Sequence, residues 1–565
     1  MDLLKTLLIA NRGDIAVRIC RTAKTLNIRT IAVYSEADAA SQHVRDADEA
    51  VVLPGPDETA YSDGEAIIKI AKAHNADAII PGYGFLSESV DFARLVSEAG
   101  MVCVTTTSFL NSFKYTPHAI DVLSADAHTF VQHLPARPTA GKGMPHSGPM
   151  DPLAFQMANL LVGNPRGKEG LEMTLSGPEL CFTGPAIVAL CGAPMETCLD
   201  GGEFPMWTKM KIGAGQKLKI GKTTGGGCRS YLAVYGGFPR VAEDSGSKST
   251  STPEAIGGYQ GRALAAGDVL QTVAELPDEL HAASLPEMLR PTYNSHWEIK
   301  AMVGPHDEGY FLPEDIDMIY ATKWKVSHDA SRSGIHLVGP APKWARKDGG
   351  EHPSKVPEYA YPRGTLTWSG DEPCILPVDA PSSGGFVSST TAIRAEWWKV
   401  GQMREGDTVQ YVRVGLQDAL KKRRAVATFL HGVERGVQYG EWGNVERIQG
   451  CHIEFHEDDI GSAVIWEKGG EGHGPRVRYR QAGDEYLVVE YGDEEGNGKQ
   501  RGRVKALEKA LRDTGTPGVV RDGIVDAVGC DTTLLLFYDG EKLPRRELVE
   551  HLQMLETWLG DEDEG

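Results

Sequence analysis

Two patterns of residues follow one another along this chain, and each one demands a different kind of fold. In the first 105 residues, short apolar runs typical of strands alternate with amphipathic runs typical of helices. The predicted strands are residues 6–10, 30–34, 50–53, 76–80 and 101–104. Because such alternation is typical of βαβ units, this segment is expected to form a parallel, Rossmann-like sheet. Asp14 is placed to cap the first helix by accepting from its free amides.

After residue 141 the pattern changes to many short β-type runs that are separated by Gly and Pro. Such a pattern is typical of β-barrels and sandwiches. One helix interrupts it, since Asp151 and Pro152 suit an N-cap and a first helical position, and Gly163 can end the helix. Strands and helices are mixed again toward the end of the chain.

The patterns predict a multidomain protein that is α/β at first and mainly β afterwards. The predicted segments are an α/β domain at 1–107, an irregular junction at 108–140, a mainly β domain at 141–415 and a partial α+β domain at 425–560. In the last segment, strands are expected at 486–491 and 533–538, and helices at 502–512 and 545–558.

Composition excludes several classes of protein. At 565 residues the chain is too long for one core, since domains hold about 150 residues. A net charge of −20 argues against nucleic acid and anionic membrane as partners. The nine cysteines form no C-x-x-C pair, so no metal site is expected. No apolar run reaches the roughly 20 residues that span a bilayer, and the expected location is the cytoplasm.

The α/β segment resembles the N-terminal domain of biotin carboxylases. Three blocks match in register: residues 8–18 (LIANRGDIAVR), 32–38 (AVYSEAD) and 81–88 (PGYGFLSE). At Gly13 a strand leads into a helix N-terminus, which favours an anionic ligand, and a structural turn that binds nothing is the alternative. The motif residues that this resemblance implies are Asn11, Arg12, Gly13, Glu36, Gly82, Tyr83, Gly84, Ser87 and Glu88.

The mainly β segment resembles the allophanate hydrolase subunit 2 family over most of its length. The matching stretches include 147–151 (SGPMD), 225–229 (GGGCR), 233–238 (AVYGGF) and 376–386 (LPVDAPSSGGF). In that family two cyclophilin-like β-barrels pack side by side, and fused versions form half of the carboxyltransferase of urea carboxylase. The resemblance therefore implies tandem barrels and a carboxyltransferase role.

The last segment resembles the start of the allophanate hydrolase subunit 1 family, which provides the other carboxyltransferase half. The matching stretches are 479–484 (YRQAGD) and 489–492 (VEYG). The resulting order of domains is that of urea carboxylase. The sequence departs from the family where an ATP-grasp domain, a biotin-carrier Met-Lys-Met motif and the second half of subunit 1 are expected, because none of these is found.

The resemblances imply a truncated relative of ATP- and biotin-dependent urea carboxylase, which converts urea to allophanate. This chain is expected to contribute the carboxyltransferase part and not to be self-sufficient. Biotin and ATP with Mg are the implied cofactors, although the domains that bind ATP and carry biotin are not found. Urea or a related small amide is the implied substrate, and a homo-oligomer or an intact biotin-dependent protein is the implied partner.

The expected site residues lie in one loop and in two segments that precede it. Carboxyl transfer needs a base, donors for oxyanion charge and a pocket that orients the amide nitrogen. The candidate catalytic residues are Asp379, Ser382 and Arg332, whose guanidinium can clamp a carboxylate or a carbonyl. The candidate substrate-binding residues are Pro381, Gly384, Gly385, Phe386 and Tyr361.

Structural roles stay open for the same residues. Asp379 can cap a tight turn, Arg332 can form a structural ion pair, and Tyr361 can serve packing alone. Glu172 and Glu179 are expected to be solvated or to cap backbone amides. The residues expected not to bind metal are His296, His306 and His352, which lack helical spacing to one another.

Two other functions fit the sequence. One is an amidohydrolase role like that of 5-oxoprolinase, which acts on a lactam with partner subunits. The Asp379-x-Pro381-Ser382 form of the loop favours the urea branch over this one. The other is a catalytically inactive binding subunit or fragment.

Overall fold

The structure is a computed structural model, and its contacts divide the chain into two units. The described residues are 5–57, 59–82, 84–104, 118–126, 128–137, 143–277, 282–346, 351–443, 445–447, 461–469, 476–492, 498–512 and 516–562. One unit comprises residues 1–121 with 267–269, and the other comprises 122–266 with 270–565. Within these ranges, none of the helices combines the length and the apolar composition that crossing a bilayer requires.

The first unit is built on a five-stranded sheet whose ladders are all parallel. In spatial order its strands are β3 (Glu49–Val52), β2 (Arg29–Tyr34), β1 (Thr6–Ile9), β4 (Ala78–Ile80) and β5 (Val102–Cys103). Its helices are α1 (Gly13–Thr25), α2 (Gln42–Asp46), α3 (Gly64–Ala73) and α4 (Val90–Glu98). The alternation of strands and helices predicted from the sequence is therefore confirmed.

This unit has a hydrophobic core of its own, in which Ile31, Val33 and Ile79 are fully buried. The prediction that Asp14 caps α1 is wrong. The helix begins at Gly13, so Asp14 already lies in its first turn, and Arg12 at the N-cap makes no side-chain cap. The Asp14 carboxylate can still interact favourably with the helix dipole from that position.

The second unit begins with two open sheets. One has the order β13 (Met210–Ile212), β10 (Ala186–Gly192), β15 (Arg229–Val234), β8 (Gly170–Thr174) and β7 (Thr129–Gln132). The other has the order β12 (Gly202–Glu203), β11 (Met195–Leu199), β14 (Lys217–Thr223), β9 (Glu179–Phe182), β6 (Ala119–Ser124) and β16 (Val269–Gln271).

The strands β6 and β7 correct the expectation of an irregular junction over 108–140. They are short and are separated by polar residues, so no sustained period reveals them in the sequence. Antiparallel pairing of β7 with β8 supplies the register that the local sequence lacks. Residues 105–117 and 138–142 of that segment lie outside the described part of the chain.

A closed barrel follows the two open sheets. Around the barrel the order is β17 (His296–Val303), β24 (Ser388–Ala392), β21 (Thr365–Ser369), β22 (Glu372–Ile375), β19 (Ile335–Val338), β18 (Trp324–Ala330) and β25 (Thr408–Arg413). A separate ribbon pairs β20 (Lys355–Ala360) with β23 (Ser383–Phe386). The helices in and after this part are α6 (Pro313–Ala321) and α7 (Trp397–Val400).

Two tandem barrels were expected from the sequence. Among the described residues, the structure has one closed barrel. β17 pairs with both β24 and β25, which closes the circuit of hydrogen bonds. In the preceding half the ladders end at edge strands, at β7 and β13 in one sheet and at β12 and β16 in the other. Period-two patterning in the sequence cannot distinguish these two outcomes, because both bury alternate residues.

Helix α5 (Pro152–Val162) has the caps that the sequence predicts. The Asp151 Oδ1 accepts from the amides of Leu153 and Ala154, each at 2.9 Å. Gly163 ends the helix in the left-handed region, with φ at 87°. The helix packs on β10 and β15, and most of its residues are buried.

The last part of the second unit is an antiparallel sheet with helices. Its strands in spatial order are β26 (Val464–Lys468), β27 (Val477–Ala482), β28 (Tyr486–Tyr491), β30 (Thr533–Tyr538) and β29 (Ile524–Gly529). Its helices are α8 (Leu416–Tyr439), α9 (Gly498–Arg512), α10 (Gly518–Gly523) and α11 (Arg545–Glu562). The two strands and two helices predicted here are confirmed, the helices with wider bounds.

Candidate functional site

Arg332 lies at the centre of a buried ion-pair network. Its Nε donates to the Asp379 Oδ2 at 2.7 Å, and its Nη1 pairs with Glu172. Its Nη2 donates to the Gly148 carbonyl at 2.9 Å. Burial opposes the charge, but the two carboxylates outweigh it and raise the pKa of the guanidinium. Arg332 and Asp379 therefore form a buried ion pair. This is the structural role that the sequence left open for Arg332.

Of the two expectations for Glu172, solvation is wrong, and a hydrogen bond to a backbone amide is confirmed. Its side chain is fully buried, and its Oε2 accepts from the Met150 amide and from the Tyr231 hydroxyl, each at 2.8 Å. Glu179 is only partly buried in β9. Together, Arg332 and Glu172 tie the segment before α5 to β8 and to the loop at Asp379.

The glycines of the loop at 379–386 lie in the ribbon that β20 and β23 form. The Tyr361 hydroxyl accepts from the Phe386 amide at 3.1 Å. A Cβ added at Gly384 would lie 2.5 Å from that hydroxyl oxygen, so only glycine leaves room for the ring. Gly385 lies between them in the same strand. These residues shape the wall behind Tyr361.

Pro381 and Ser382 line a narrow pocket, together with Tyr361. Residues of the last sheet, among them Asp526 and Tyr486, line it from another side. Its volume is about 30 Å³. Of the eight candidate residues, Tyr361, Pro381 and Ser382 line the pocket, and Arg332, Asp379, Gly384, Gly385 and Phe386 do not.

A larger groove of about 690 Å³ shares part of this lining. The residues common to both are His146, Arg363, Tyr486 and Phe537. Apolar side chains form much of its wall, including Trp397, Trp398, Val426 and Leu430. The pocket is therefore a narrow recess beside a groove that can take an apolar ring.

Five arginines line the groove, and three of them, Arg363, Arg394 and Arg423, differ in their partners. The guanidinium groups of Arg394 and Arg423 both pair with Glu485. The guanidinium of Arg363 stacks on Trp397, with its carbon 4.0 Å from a ring centroid. Burial lowers the pKa of Arg363 to about 10, so the group stays charged at neutral pH.

In the first unit, motif residues gather where β1 and β4 end. The Asn11 Nδ2 donates to the Pro81 carbonyl after β4 at 2.5 Å, and its Oδ1 accepts from the Arg12 amide at 2.8 Å. Gly13 has φ at 61°, which favours glycine. Ligands of parallel sheets bind beyond the carboxyl ends of the strands, so this edge is where the motif would act.

The other motif residues of this unit have mixed placements. Gly82 and Gly84 both have positive φ, at 67° and 74°. Ser87 is buried, and Glu36 is exposed in a short turn. Two motif positions lie outside the description: Tyr83, and the side chain of Glu88.

Several residues that line the pocket or the groove were missed by the sequence analysis. They are His146, Arg363, Trp397 and Asp526. A signal existed for three of them, because His146 directly precedes the SGPMD stretch, Arg363 follows Tyr361-Pro362, and Asp526 precedes a departure from the family pattern. Their convergence depends on contacts between distant segments. Among the described residues, no group of three His, Cys, Asp or Glu is placed to hold a metal.

Comparison with known families identifies three domains in this chain. Residues 142–413 match "carboxyltransferase domain, subdomain A and B". Residues 3–108 match "biotin carboxylase, N-terminal domain", and residues 477–564 match "carboxyltransferase domain, subdomain C and D". The pocket is therefore lined from both carboxyltransferase matches.

Curated relatives agree with these matches. A urea carboxylase homologue of Emericella nidulans is 47% identical over 466 residues, which are 81% of this chain and 38% of the relative. Urea amidolyase of Saccharomyces cerevisiae is 35% identical over 512 residues, 87% of this chain and 26% of the relative. The chain thus spans well under half the length of these relatives.

Two further proteins share parts of the chain. A 5-oxoprolinase subunit of Escherichia coli is 30% identical over 309 residues, which are 54% of this chain and 94% of the relative. The crystal structure of Kluyveromyces lactis urea carboxylase superposes with a TM-score of 0.71 at 25% identity. That superposition covers 98% of this chain and 72% of the other.

Proposed function

Because this chain belongs to the urea carboxylase and urea amidolyase family, we propose that it contributes the carboxyl-transfer part of a biotin-dependent carboxylase. One observation carries the proposal: Pro381 and Ser382 of the motif loop line the same pocket as Asp526 and Tyr486 of the second carboxyltransferase match. The acceptor is urea or a related small amide.

The groove suits biotin in composition and size. Trp397, Trp398 and Leu430 offer apolar walls to a bicyclic ring, and Arg363 offers donors to carboxyl oxygens. Biotin, when bound, supplies a carboxyl group on its ureido nitrogen and takes back the proton that the amide nitrogen loses. The residues of the chain orient the acceptor, with Ser382 and Arg363 as donors to its carbonyl oxygen.

Formation of carboxylated biotin requires ATP and Mg, and we assign it to the biotin carboxylase part of the family. The first unit is proposed to be the Rossmann-like N-terminal domain of such an enzyme, and the closed barrel to be cyclophilin-like. The proposal therefore includes a partner, either an intact biotin-dependent protein or further copies of this chain. Activity of the chain alone is limited to the transfer step.

The transfer step can be tested in reverse with the full chain. Allophanate labelled in its carboxyl group is incubated with free biotin, and released CO2 is counted. Release is expected to rise with biotin and to fall about tenfold or more in Ser382→Ala, which removes a donor at the pocket. Ser383→Ala is the matched control, because the Ser383 hydroxyl donates to Glu358 outside the pocket. Release that does not depend on biotin contradicts the proposal.

A 5-oxoprolinase-like role is the second candidate, since the likeness to the Escherichia coli 5-oxoprolinase protein covers 94% of its length. A lactam also presents one carbonyl and one N–H to the pocket. ATP-dependent cleavage of 5-oxoproline with partner subunits, and no effect of biotin, is the outcome that favours it. Biotin binding without any turnover instead favours an inactive binding subunit.

A further inference from the structure

Two lysines pair with one buried carboxylate on the outside of the closed barrel. Glu396 lies in the turn before α7 and is fully buried. Its Oε2 lies 2.5 Å from the Lys399 Nζ in α7, and its Oε1 lies 3.0 Å from the Lys422 Nζ in α8. Burial opposes ionisation, but the lysine charges outweigh it and hold the pKa of Glu396 below its usual value. Glu396 is therefore an anion that two ammonium groups share.

Lys300 brings a third ammonium group to this cluster from β17. Its side chain is only 13% exposed, and its Nζ lies 3.7 Å from the Glu298 Oε1, which is too far for a hydrogen bond. No described residue accepts a hydrogen bond from the Lys300 Nζ. The Glu298 side chain is 61% exposed, so water screens the attraction between the two charges. Lys300 is therefore mostly buried without a close acceptor.

Positive charge exceeds buried negative charge in the cluster. Among the described residues, the three ammonium groups pair with two carboxylates, and only that of Glu396 is buried. Burial lowers the pKa of Lys300, the charge of Lys422 lowers it further, and Glu396 opposes the change. At a given pH, the neutral amine is therefore a larger fraction of Lys300 than of an exposed lysine.

These surroundings suit an anion at the end of the Lys300 side chain better than a cation. A lysine nitrogen becomes a nucleophile when burial and a neighbouring cation favour its neutral form. The ammonium groups of Lys399 and Lys422 repel a cation at this position and would stabilise an anion. A carbamate, the product of an amine and CO2, is such an anion. With it, two buried negative charges would face two ammonium groups, and the buried charges would balance.

We propose that Lys300 is a modification site that takes up CO2 as a carbamate. The ammonium group first loses a proton to water. The nitrogen lone pair then forms a bond to the carbon of CO2, the π electrons of one C=O bond move to its oxygen, and a second proton leaves the nitrogen for water. The carbamate oxygens accept from the ammonium groups of Lys399 and Lys422. None of these lysines lines the pocket or the groove, so the inference does not rest on the proposed function.

The test locates the carbamate in the full chain by trapping. The protein is incubated with isotopically labelled bicarbonate, which supplies CO2, and triethyloxonium ion converts any carbamate to its ethyl ester. Peptide mapping by mass spectrometry then finds the label. Lys325 is the matched control, because it is exposed and its strand pairs with β25 from the other side. The labelled fraction is expected to be at least about tenfold higher at Lys300, as for a gain of one hydrogen bond to a charged group.

Two variants test whether the cluster causes the uptake. Lys422→Met is expected to lower the label at Lys300 about tenfold, because it removes a cation that stabilises the carbamate. Lys325→Met is expected to leave that label unchanged. If Lys422→Met fails to fold, the comparison of Lys300 with Lys325 in the wild type still decides.

The chain unfolded in guanidinium chloride provides a further control, since both lysines should then be labelled equally. Equal labelling of Lys300 and Lys325 in the folded protein, or no label at Lys300, would overturn the proposal. Label at Lys300 that is unchanged in folded Lys422→Met would also overturn it, because the cluster would then not be the cause. Broadening of the bicarbonate NMR signal without trapped label would show a noncovalent anion instead of a carbamate.

Discussion

The carboxylate of Asp151 is buried and has hydrogen bonds on both oxygens. Its Oδ1 caps α5, and its Oδ2 accepts from the Gln402 Nε2 at 2.8 Å. Burial is the largest influence and raises the pKa of Asp151 to about 7, although these hydrogen bonds oppose it. The corresponding value in an unfolded chain is about 3.9. Between these two values the folded state binds more protons than the unfolded state, so stability falls as pH rises.

Asp151→Asn is expected to remove this pH dependence. From pH 5 to pH 8, the wild type should lose about 2 to 3 kcal/mol of unfolding free energy relative to the variant, as the pKa difference requires. Urea unfolding of both proteins at the two pH values measures the change. Other titrating groups contribute equally to the unfolding free energies of the two proteins, so their contributions cancel when one value is subtracted from the other. Parallel stability curves across this range would refute the assignment.

At this scale, sequence reasoning identified residues whose partners are local. Asp151 was predicted as a cap because the amides that it binds follow within three residues. Glu172 was misjudged because its cationic partner, Arg332, is 160 residues away, and no local pattern reports such a contact. The same limit applies to Arg363 and Asp526, whose shared pocket depends on tertiary contacts.

The end of helix α8 shows how an element depends on one residue. The helix has 24 residues and ends at Gly440, which has φ at 73° in the left-handed region. A Cβ at this position would meet nothing within 4 Å. Glycine is therefore favoured at position 440 by the left-handed backbone conformation and not by close packing. Residues with a Cβ adopt this conformation at a cost of about 1 kcal/mol or more.

Gly440→Ala is expected to destabilise the second unit by about 1 kcal/mol, through backbone strain alone. Gly443→Ala is the matched control, since that glycine also has open space around it and no positive φ. Chemical denaturation of the full chain compares the two variants. Equal stabilities for the two variants would argue against a left-handed helix end at Gly440.

Elements with strong periodicity were predictable, and closure of sheets was not. The alternation in the first 105 residues predicted the five parallel strands, because the apolar pattern of each strand and helix indicates which of its residues are buried. The short strands β6 and β7 carried no such period. Barrel closure between β17 and β25 depends on pairing over more than a hundred residues, which apolar patterning does not record.

Each of the two units has hydrophobic cores of its own. Ile79 belongs to the core of the parallel sheet in the first unit. Leu487 belongs to a core of the last sheet in the second unit. Both side chains are fully buried, and no cluster of described residues contains members of both cores. The division of the sequence into an α/β part and a mainly β part anticipated this arrangement, since each pattern implies its own buried face.

Separate cores predict separate unfolding. Scanning calorimetry of the full chain is expected to show at least two transitions, because cooperativity is a property of one packed core. Ile79→Ala should destabilise its unit by about 2 to 5 kcal/mol, the cost of an emptied core site, and should lower only the transition of that unit. Leu487→Ala, an equally buried control in the other unit, should lower a different transition and leave the first in place. If either variant moves every transition together, the two units unfold as one, and the division by separate cores fails.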